Sequence, residues 1–116
     1  GFYPDFIMWI VKGKKQWISF IEPHGMLHEK GDVLSCDKVK LAHTINDIED
    51  VKKHKNLTLN SYIITPTPIK HIWPSIAPKN DQEEALRILH EHHLYASEEG
   101  IDNVVKSIVG DVVGKN

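Results

Sequence analysis

Two carboxylates, those of Asp5 and Glu22, occupy positions that a β-hairpin would bring opposite each other. Apolar and β-branched segments flank the charged turn 12–15, and Gly13 at the first central position suits a type II′ turn, whose twist matches paired strands. In this register the numbers of facing residues sum to 27, which pairs Asp5 with Glu22. A shift of one residue would separate the pair.

The facing carboxylates indicate a cation site. Like charges directly opposite on neighbouring strands destabilise a sheet, by roughly 3 kcal/mol at about 5 Å in a medium of effective dielectric 20. A divalent ion between them would turn this repulsion into binding, and Mg²⁺ held by one or two carboxylates plus phosphate is typical of phosphate-processing sites. His24 lies two residues beyond Glu22 and therefore on the same strand face. The alternative is that Asp5, Glu22 and His24 are solvated residues of turns and strand ends.

The same residues resemble a known family. The segment Tyr-Pro-Asp-Phe at 3–6, an apolar strand, a short turn and Phe-Ile-Glu-Pro-His-Gly at 20–25 are similar to the PD-(D/E)xK nuclease motif. More narrowly, they resemble the C-terminal nuclease region of type III restriction enzyme Res subunits and related helicase-nucleases. The resemblance covers about residues 2–72.

The resemblance implies roles for individual residues. Asp5 would be the motif aspartate and a metal ligand, Glu22 the second acidic ligand, and the Pro23 carbonyl a third. His24 stands where the family has lysine, so it would act as a general base or as a nitrogen ligand favouring Mn²⁺ over Mg²⁺, or the site would be impaired. Lys30 and Lys38 follow the hairpin and could supply the missing positive charge, although solvated side chains are the alternative.

The resemblance also implies a fold. We expect a mixed α/β (α+β) domain with a restriction-endonuclease-like core, in which helices flank a small mixed sheet and the first helix and strand precede residue 1. The chain is expected to form one nuclease-like domain, 1–116, with a hairpin–helix–strand core at 1–73 and a helical part at 80–113.

The function implied is that of a metal-dependent endonuclease domain that hydrolyses phosphodiester bonds of double-stranded DNA, using Mg²⁺ or Mn²⁺. It would belong to a bacterial, cytoplasmic type III restriction helicase-nuclease, with an ATP-driven helicase or translocase region upstream and a methyltransferase subunit as a further partner. The alternative is an inactive nuclease-like fold that serves as a DNA-binding or assembly module of a restriction complex.

Hydrophobic periodicity predicts the other elements. Apolar residues about every third position predict a helix over 35–55, and a second helix is expected from residue 80 or 81 to about 97. A third strand is predicted at 61–65, a short strand at 69–73, and a last helix over 101–113.

Charge and composition narrow the function classes. The chain has a net charge of −2 and one cysteine, Cys36, and no apolar run reaches the roughly 20 residues of a membrane span. Because the chain is not strongly basic, any DNA affinity must come from local patches, such as the lysine runs at 12–15 and 52–55, or from absent domains. The histidines at 90, 92 and 93 suggest zinc, but at most two would converge on a helix, and a partly exposed helix end is favoured. Trp9, Trp17 and Trp73 could stack on bases but are expected mainly in the core.

Overall fold

The computed structural model describes residues 5–25, 34, 37–48, 52–72 and 81–114, which fold as a mixed α+β domain. Its strands are β1 (Phe6–Lys12), β2 (Lys15–Pro23), β3 (Leu57–Thr65) and β4 (Leu94–Ala96). Its α-helices are α1 (Asp37–Thr44), α2 (Gln82–Glu91) and α3 (Ile101–Gly114). Short 3₁₀ turns lie at Ile45–Asp47, Ile69–His71 and Ser97–Glu99.

The hairpin has the predicted register. β1 pairs antiparallel with β2 from Phe6↔Ile21 to Lys12↔Lys15, so the numbers of each facing pair sum to 27. Gly13 has a φ of 63°, whereas Lys14 does not share this positive φ, a combination that fits a type II′ turn. A residue with a side chain at Gly13 would strain this turn.

The sheet has the order β1-β2-β3-β4. β3 is parallel to β2, and β4 is parallel to β3. Parallel neighbours require crossover connections, and the helices α1 and α2 lie in these two connections. The sheet is therefore mixed, with the antiparallel β1 as one edge.

Helices cover both faces of the sheet because the side chains of each strand alternate between the faces. On one face, α3 packs on a core cluster of Trp17, Ile21, Tyr62, Tyr95, Val104, Ile108 and Val112. On the other face, α1 and α2 contribute to a second cluster of Val39, Ile63, Ile72, Leu89 and Leu94. Glu22 faces this second side, since it pairs in register with Ile63.

The helix predicted over 35–55 is not continuous, and residues 35, 36 and 49–51 within that range lie outside the described residues. α1 ends at Thr44 and a 3₁₀ turn follows. Asn46 explains the change, because its side chain accepts from the Leu59 amide and donates to the Leu59 carbonyl of β3, at 2.8 and 2.7 Å. Ile48, expected on the buried helix face, is 51% exposed.

Two further predictions need correction. The short strand expected at 69–73 is instead a 3₁₀ turn at Ile69–His71, and the Ile69 amide donates to the Glu98 side chain rather than to a strand. The helix expected to reach residue 97 ends at Glu91, and β4 follows. His93, at a φ of 60°, reverses the chain between α2 and β4.

The predicted last helix is confirmed, since α3 spans Ile101–Gly114. Part of its apolar stripe, namely Val104, Ile108 and Val112, is buried. Within the described ranges, no helix is long and apolar enough to cross a membrane.

Candidate functional site

The predicted site residues lie at the end of the sheet where the parallel strands have their carboxyl ends. Glu22 is the penultimate residue of β2, and Pro23 ends that strand because proline has no amide hydrogen for the ladder. Asp5 immediately precedes the antiparallel β1 and therefore lies at the same end. In open α/β sheets the crevice outside the carboxyl ends of parallel strands is where ligands bind.

Glu22 is a buried carboxylate. It is 4% exposed, and its Oε1 lies 2.6 Å from Nζ of Lys38 in the first turn of α1. The next residue, Val39, is buried in the same cluster as Ile63, which anchors α1 over this face and brings Lys38 to Glu22. Lys38 is thus one of the two lysines that the sequence offered, and the other, Lys30, lies outside the described residues.

The second oxygen of this carboxylate is also buried. Glu22 Oε2 is buried and has no hydrogen-bond partner among the residues that the structure describes. A buried acceptor without a partner costs about 1–3 kcal/mol, and more when it is charged. Native structures rarely keep such groups without a reason such as a bound ion or water.

Asp5 and His24 are placed differently from Glu22. Asp5 is exposed, and continuing the ladder beyond Phe6↔Ile21 places it opposite Glu22. His24 is half-buried, and its backbone amide donates to the Ile64 carbonyl of β3 at 3.2 Å. In the described part of the chain, no three His, Cys, Asp or Glu side chains converge as a metal-binding group. Any metal site here would therefore need main-chain, water or phosphate oxygens as well.

The clustered histidines have different partners. His90 Nε2 lies 2.7 Å from Glu99 Oε1, and His92 Nδ1 lies 2.9 Å from His43 Nε2. His93 Nδ1 lies 3.1 Å from the Ser61 carbonyl oxygen. These rings tie the end of α2 to three separate parts of the fold.

A second polar cluster, absent from the sequence predictions, joins β3 to α3. The Tyr62 hydroxyl donates to Asp111 Oδ2 at 2.5 Å, and His93 Nε2 lies 3.4 Å from the same oxygen. The rings of Tyr62 and His93 stack with centroids 4.3 Å apart. The signal in the sequence that could have indicated this cluster is Asp111, which lies seven residues after Val104 on the apolar stripe of α3.

Burial shifts the acidity of the tyrosines in this region. The pKa of Tyr62 is raised far above its ordinary value, mainly by burial and then by the hydrogen bond and the charge of Asp111. Burial, followed by the charges of Asp111 and Glu99, raises the pKa of Tyr95 to about 12. Both hydroxyls are thus protonated throughout the neutral range, and the cluster is suited to holding α3 on the sheet.

The tryptophans divide between core and surface. Trp17 is 4% exposed, in the core as predicted, whereas Trp9 is 64% exposed. The Trp9 indole N–H donates to Gln16 Oε1 at 3.1 Å across the hairpin. Trp73, like Cys36, lies outside the described residues.

Comparisons of the chain with protein-family models, curated proteins and solved structures give no match. The nuclease resemblance therefore stays a prediction.

Proposed function

We propose that this chain is a metal-dependent endonuclease module that hydrolyses phosphodiester bonds of double-stranded DNA. The observation that carries the proposal is the environment of Glu22, a buried carboxylate at the carboxyl end of β2. One of its oxygens is paired with Lys38, and the other has no partner among the described residues. Asp5 directly precedes β1, whose ladder with β2 ends at Phe6↔Ile21, one position before Asp5 would face this carboxylate.

The available donors fit a hard divalent cation. Glu22 Oε2, the Asp5 carboxylate and the Pro23 carbonyl would hold Mg²⁺ or Mn²⁺ through oxygen, which such ions prefer, and waters or substrate phosphate would complete the shell. When bound, the ion supplies charge neutralisation at the phosphate and acidifies a water molecule.

Lys38 and His24 have complementary roles in this proposal. The Lys38 ammonium fixes the orientation of Glu22 and places a positive charge near the position of a scissile phosphate, where transition-state charge develops. It thereby replaces the lysine that the motif has at the position of His24. The His24 imidazole would accept a proton from the attacking water.

The resemblance to type III restriction Res subunits supports a wider proposal. The module would act with an ATP-driven helicase or translocase region and a methyltransferase subunit, in a restriction system in the bacterial cytoplasm. The restriction-endonuclease-like core is supported by the observed order of two antiparallel strands, a helix and a parallel strand.

Nicking of supercoiled plasmid in Mg²⁺ or Mn²⁺ tests the nuclease proposal. We expect Glu22→Gln and Asp5→Asn each to reduce the rate by about 10²-fold or more, since each removes a ligand charge. Lys38→Met should lower the rate as well. The matched exposed controls Asp47→Asn and Lys40→Met should keep it within about twofold. Equal rates for Glu22→Gln and wild type would reject the proposal.

An inactive nuclease-like assembly module is the second candidate. The observation that favours it is the apolar surface of β1, where Ile7, Trp9 and Val11 lie on one face of the strand and are each more than 60% exposed. An apolar patch of this kind is typical of an interaction surface. A wild-type chain that leaves plasmid intact in both metals would support this candidate. If His24→Lys then gained activity, the site would be identified as an impaired nuclease site.

A further inference from the structure

Two lysine runs that are distant in sequence meet at the end of the sheet opposite Glu22. The Gln16 amide donates to the Asn56 carbonyl at 2.8 Å, immediately before the pair Gln16↔Leu57 that begins the parallel β2–β3 ladder. This contact joins the hairpin turn to the segment that precedes β3. We call the combined surface the basic end, and it comprises Lys12, Lys14, Lys15, Lys52, Lys53 and Lys55.

The basic end presents its charges to solvent. All six lysines, His54 and Asn56 are exposed. Asn56 lines two adjoining grooves, one with the hairpin lysines and the other with Lys53, His54 and Lys55. A ligand that lies across Asn56 can therefore contact both runs.

The charge of this surface is one-sided. It holds six of the 14 Lys and Arg residues of a chain whose net charge is −2. The sequence has no Asp or Glu between residues 6 and 21 or between 51 and 80. Asp47, Glu49 and Asp50 directly precede the second run, whereas the hairpin turn and the segment from the second run into β3 contain no acidic residue. The lysines therefore make the basic end suited to a polyanion.

We infer that the basic end binds the phosphate backbone of double-stranded DNA as a second anchor, remote from the carboxylate site. The inference rests on the proposed function and identifies a surface by which the domain holds its substrate. Lys15 and Glu22 lie at the two ends of β2, seven residues or about 23 Å apart at roughly 3.3 Å per residue. At 3.4 Å per nucleotide step, this separation corresponds to about seven base pairs.

A duplex fits this arrangement better than a single strand. DNA is stiff over about 150 base pairs, so phosphates bound at the basic end fix the position of those near Glu22. A flexible single strand would not transmit that constraint. Because lysine–phosphate contacts release counterions, each should contribute about 0.9 to the salt dependence of binding.

The experiment measures the affinity for a 20-base-pair duplex against salt concentration, in EDTA and at neutral pH, so that no cleavage is required. One variant replaces Lys12, Lys14 and Lys15 by Gln, and a second replaces Lys52, Lys53 and Lys55 by Gln. A control replaces the exposed Lys40, Arg87 and Lys106 by Gln, which changes the net charge equally. Circular dichroism checks that each variant is folded.

Both basic-end variants should lower the slope of log K against log salt by about 2 to 3 and weaken binding at ~0.1 M salt at least tenfold. The control should stay within about threefold of wild type. Equal losses in the control, or a loss from only one of the two runs, would overturn the inference of one localised surface. The inference would also be overturned if the lysine variants bound the duplex normally but failed to bind vesicles of phosphatidylserine and phosphatidylcholine, because the basic end would then bind lipid.

The duplex-binding experiment and the plasmid-nicking experiment can succeed or fail independently of each other. Normal lysine-dependent binding with no nicking in any metal would retain the basic end as a DNA anchor and reject the catalytic role. Metal-dependent nicking together with lysine variants of normal affinity would reject the anchor alone.

Discussion

At the scale of single residues, the pair Glu22–Lys38 links stability to function. Removing a charged pair from water is costly, and the attraction between the partners offsets this cost only when both are present. The Glu22 side chain is 6% exposed and that of Lys38 is 28% exposed, so the carboxylate bears most of the desolvation. We therefore expect the lysine to stabilise the fold as well as to serve the proposed chemistry.

A double-mutant cycle tests this dependence. Lys38→Met leaves the Glu22 carboxylate buried without its cation and should lower the free energy of unfolding by about 2–3 kcal/mol. Combining it with Glu22→Gln removes the buried charge and should restore much of that loss. Urea denaturation in EDTA at neutral pH measures the free energy of unfolding of the wild type, the two single variants and the double variant.

Lys40→Met is the matched control for this cycle. Lys40 is exposed on the same helix, and its substitution should change stability by less than about 0.5 kcal/mol. If Lys38→Met cost no more than this, the ion pair would contribute nothing to the fold.

At the scale of elements, α3 is the main cover of one sheet face. Ile108 is fully buried in the cluster that joins this helix to the sheet, whereas Val105 on the same helix is 40% exposed. The two positions are β-branched residues of the same helix that differ in burial. They separate the packing contribution of α3 from its intrinsic helix propensity.

We expect Ile108→Ala to lower the free energy of unfolding by about 2–5 kcal/mol, because it leaves a cavity in the core. Val105→Ala should cost less than about 1 kcal/mol. Thermal and denaturant unfolding followed by circular dichroism give both values. A cost at Val105 as large as that at Ile108 would show that the outer side of α3 is also packed.

At the scale of the whole molecule, alkaline unfolding reports on the contact between sheet and α3. A raised tyrosine pKa means that the folded state keeps a proton that the unfolded state has lost. Tyr95 therefore does not change the stability of the fold below about pH 10. As pH rises from about 10 to 12, the stability falls because the folded state keeps the Tyr95 proton. Tyr62, whose pKa is raised further, extends the loss to higher pH.

We expect each of these tyrosines to remove about 1.4 kcal/mol of stability per pH unit in its window. Tyr95→Phe should therefore reduce the slope of stability against pH between 10 and 12, relative to wild type. Absorbance of tyrosinate near 295 nm should rise for both residues only together with the loss of far-ultraviolet circular dichroism. Ionisation of all three tyrosines near pH 10 in a folded chain would contradict the structure.

The opposite ends of the sheet also differ in chemistry. Glu22 and Asp5 lie at one end of the sheet, and the lysines of the basic end lie at the other. A chain of net negative charge can still bind DNA if its positive charge is local, which is why net charge alone does not decide function.

The sequence by itself determined the local features. The turn residues around Gly13 and the alternation of apolar residues set the hairpin register, and the apolar stripe set the bounds of α3, because neighbouring residues encode both. It also predicted that Asp5 would face Glu22, and the observed ladder ends one pair short of these residues, at Phe6↔Ile21. These features depend on sequence separations of a few residues to about 20.

Only the tertiary structure decided the rest. The strand β4 has three residues, and its pairing with β3, some 30 residues away, overrides the helical pattern read through 97. The contact of Lys38 with Glu22 and the meeting of the two lysine runs depend on the parallel pairing of β2 with β3. Such pairing is set by packing between distant segments, and local periodicity carries no information about it.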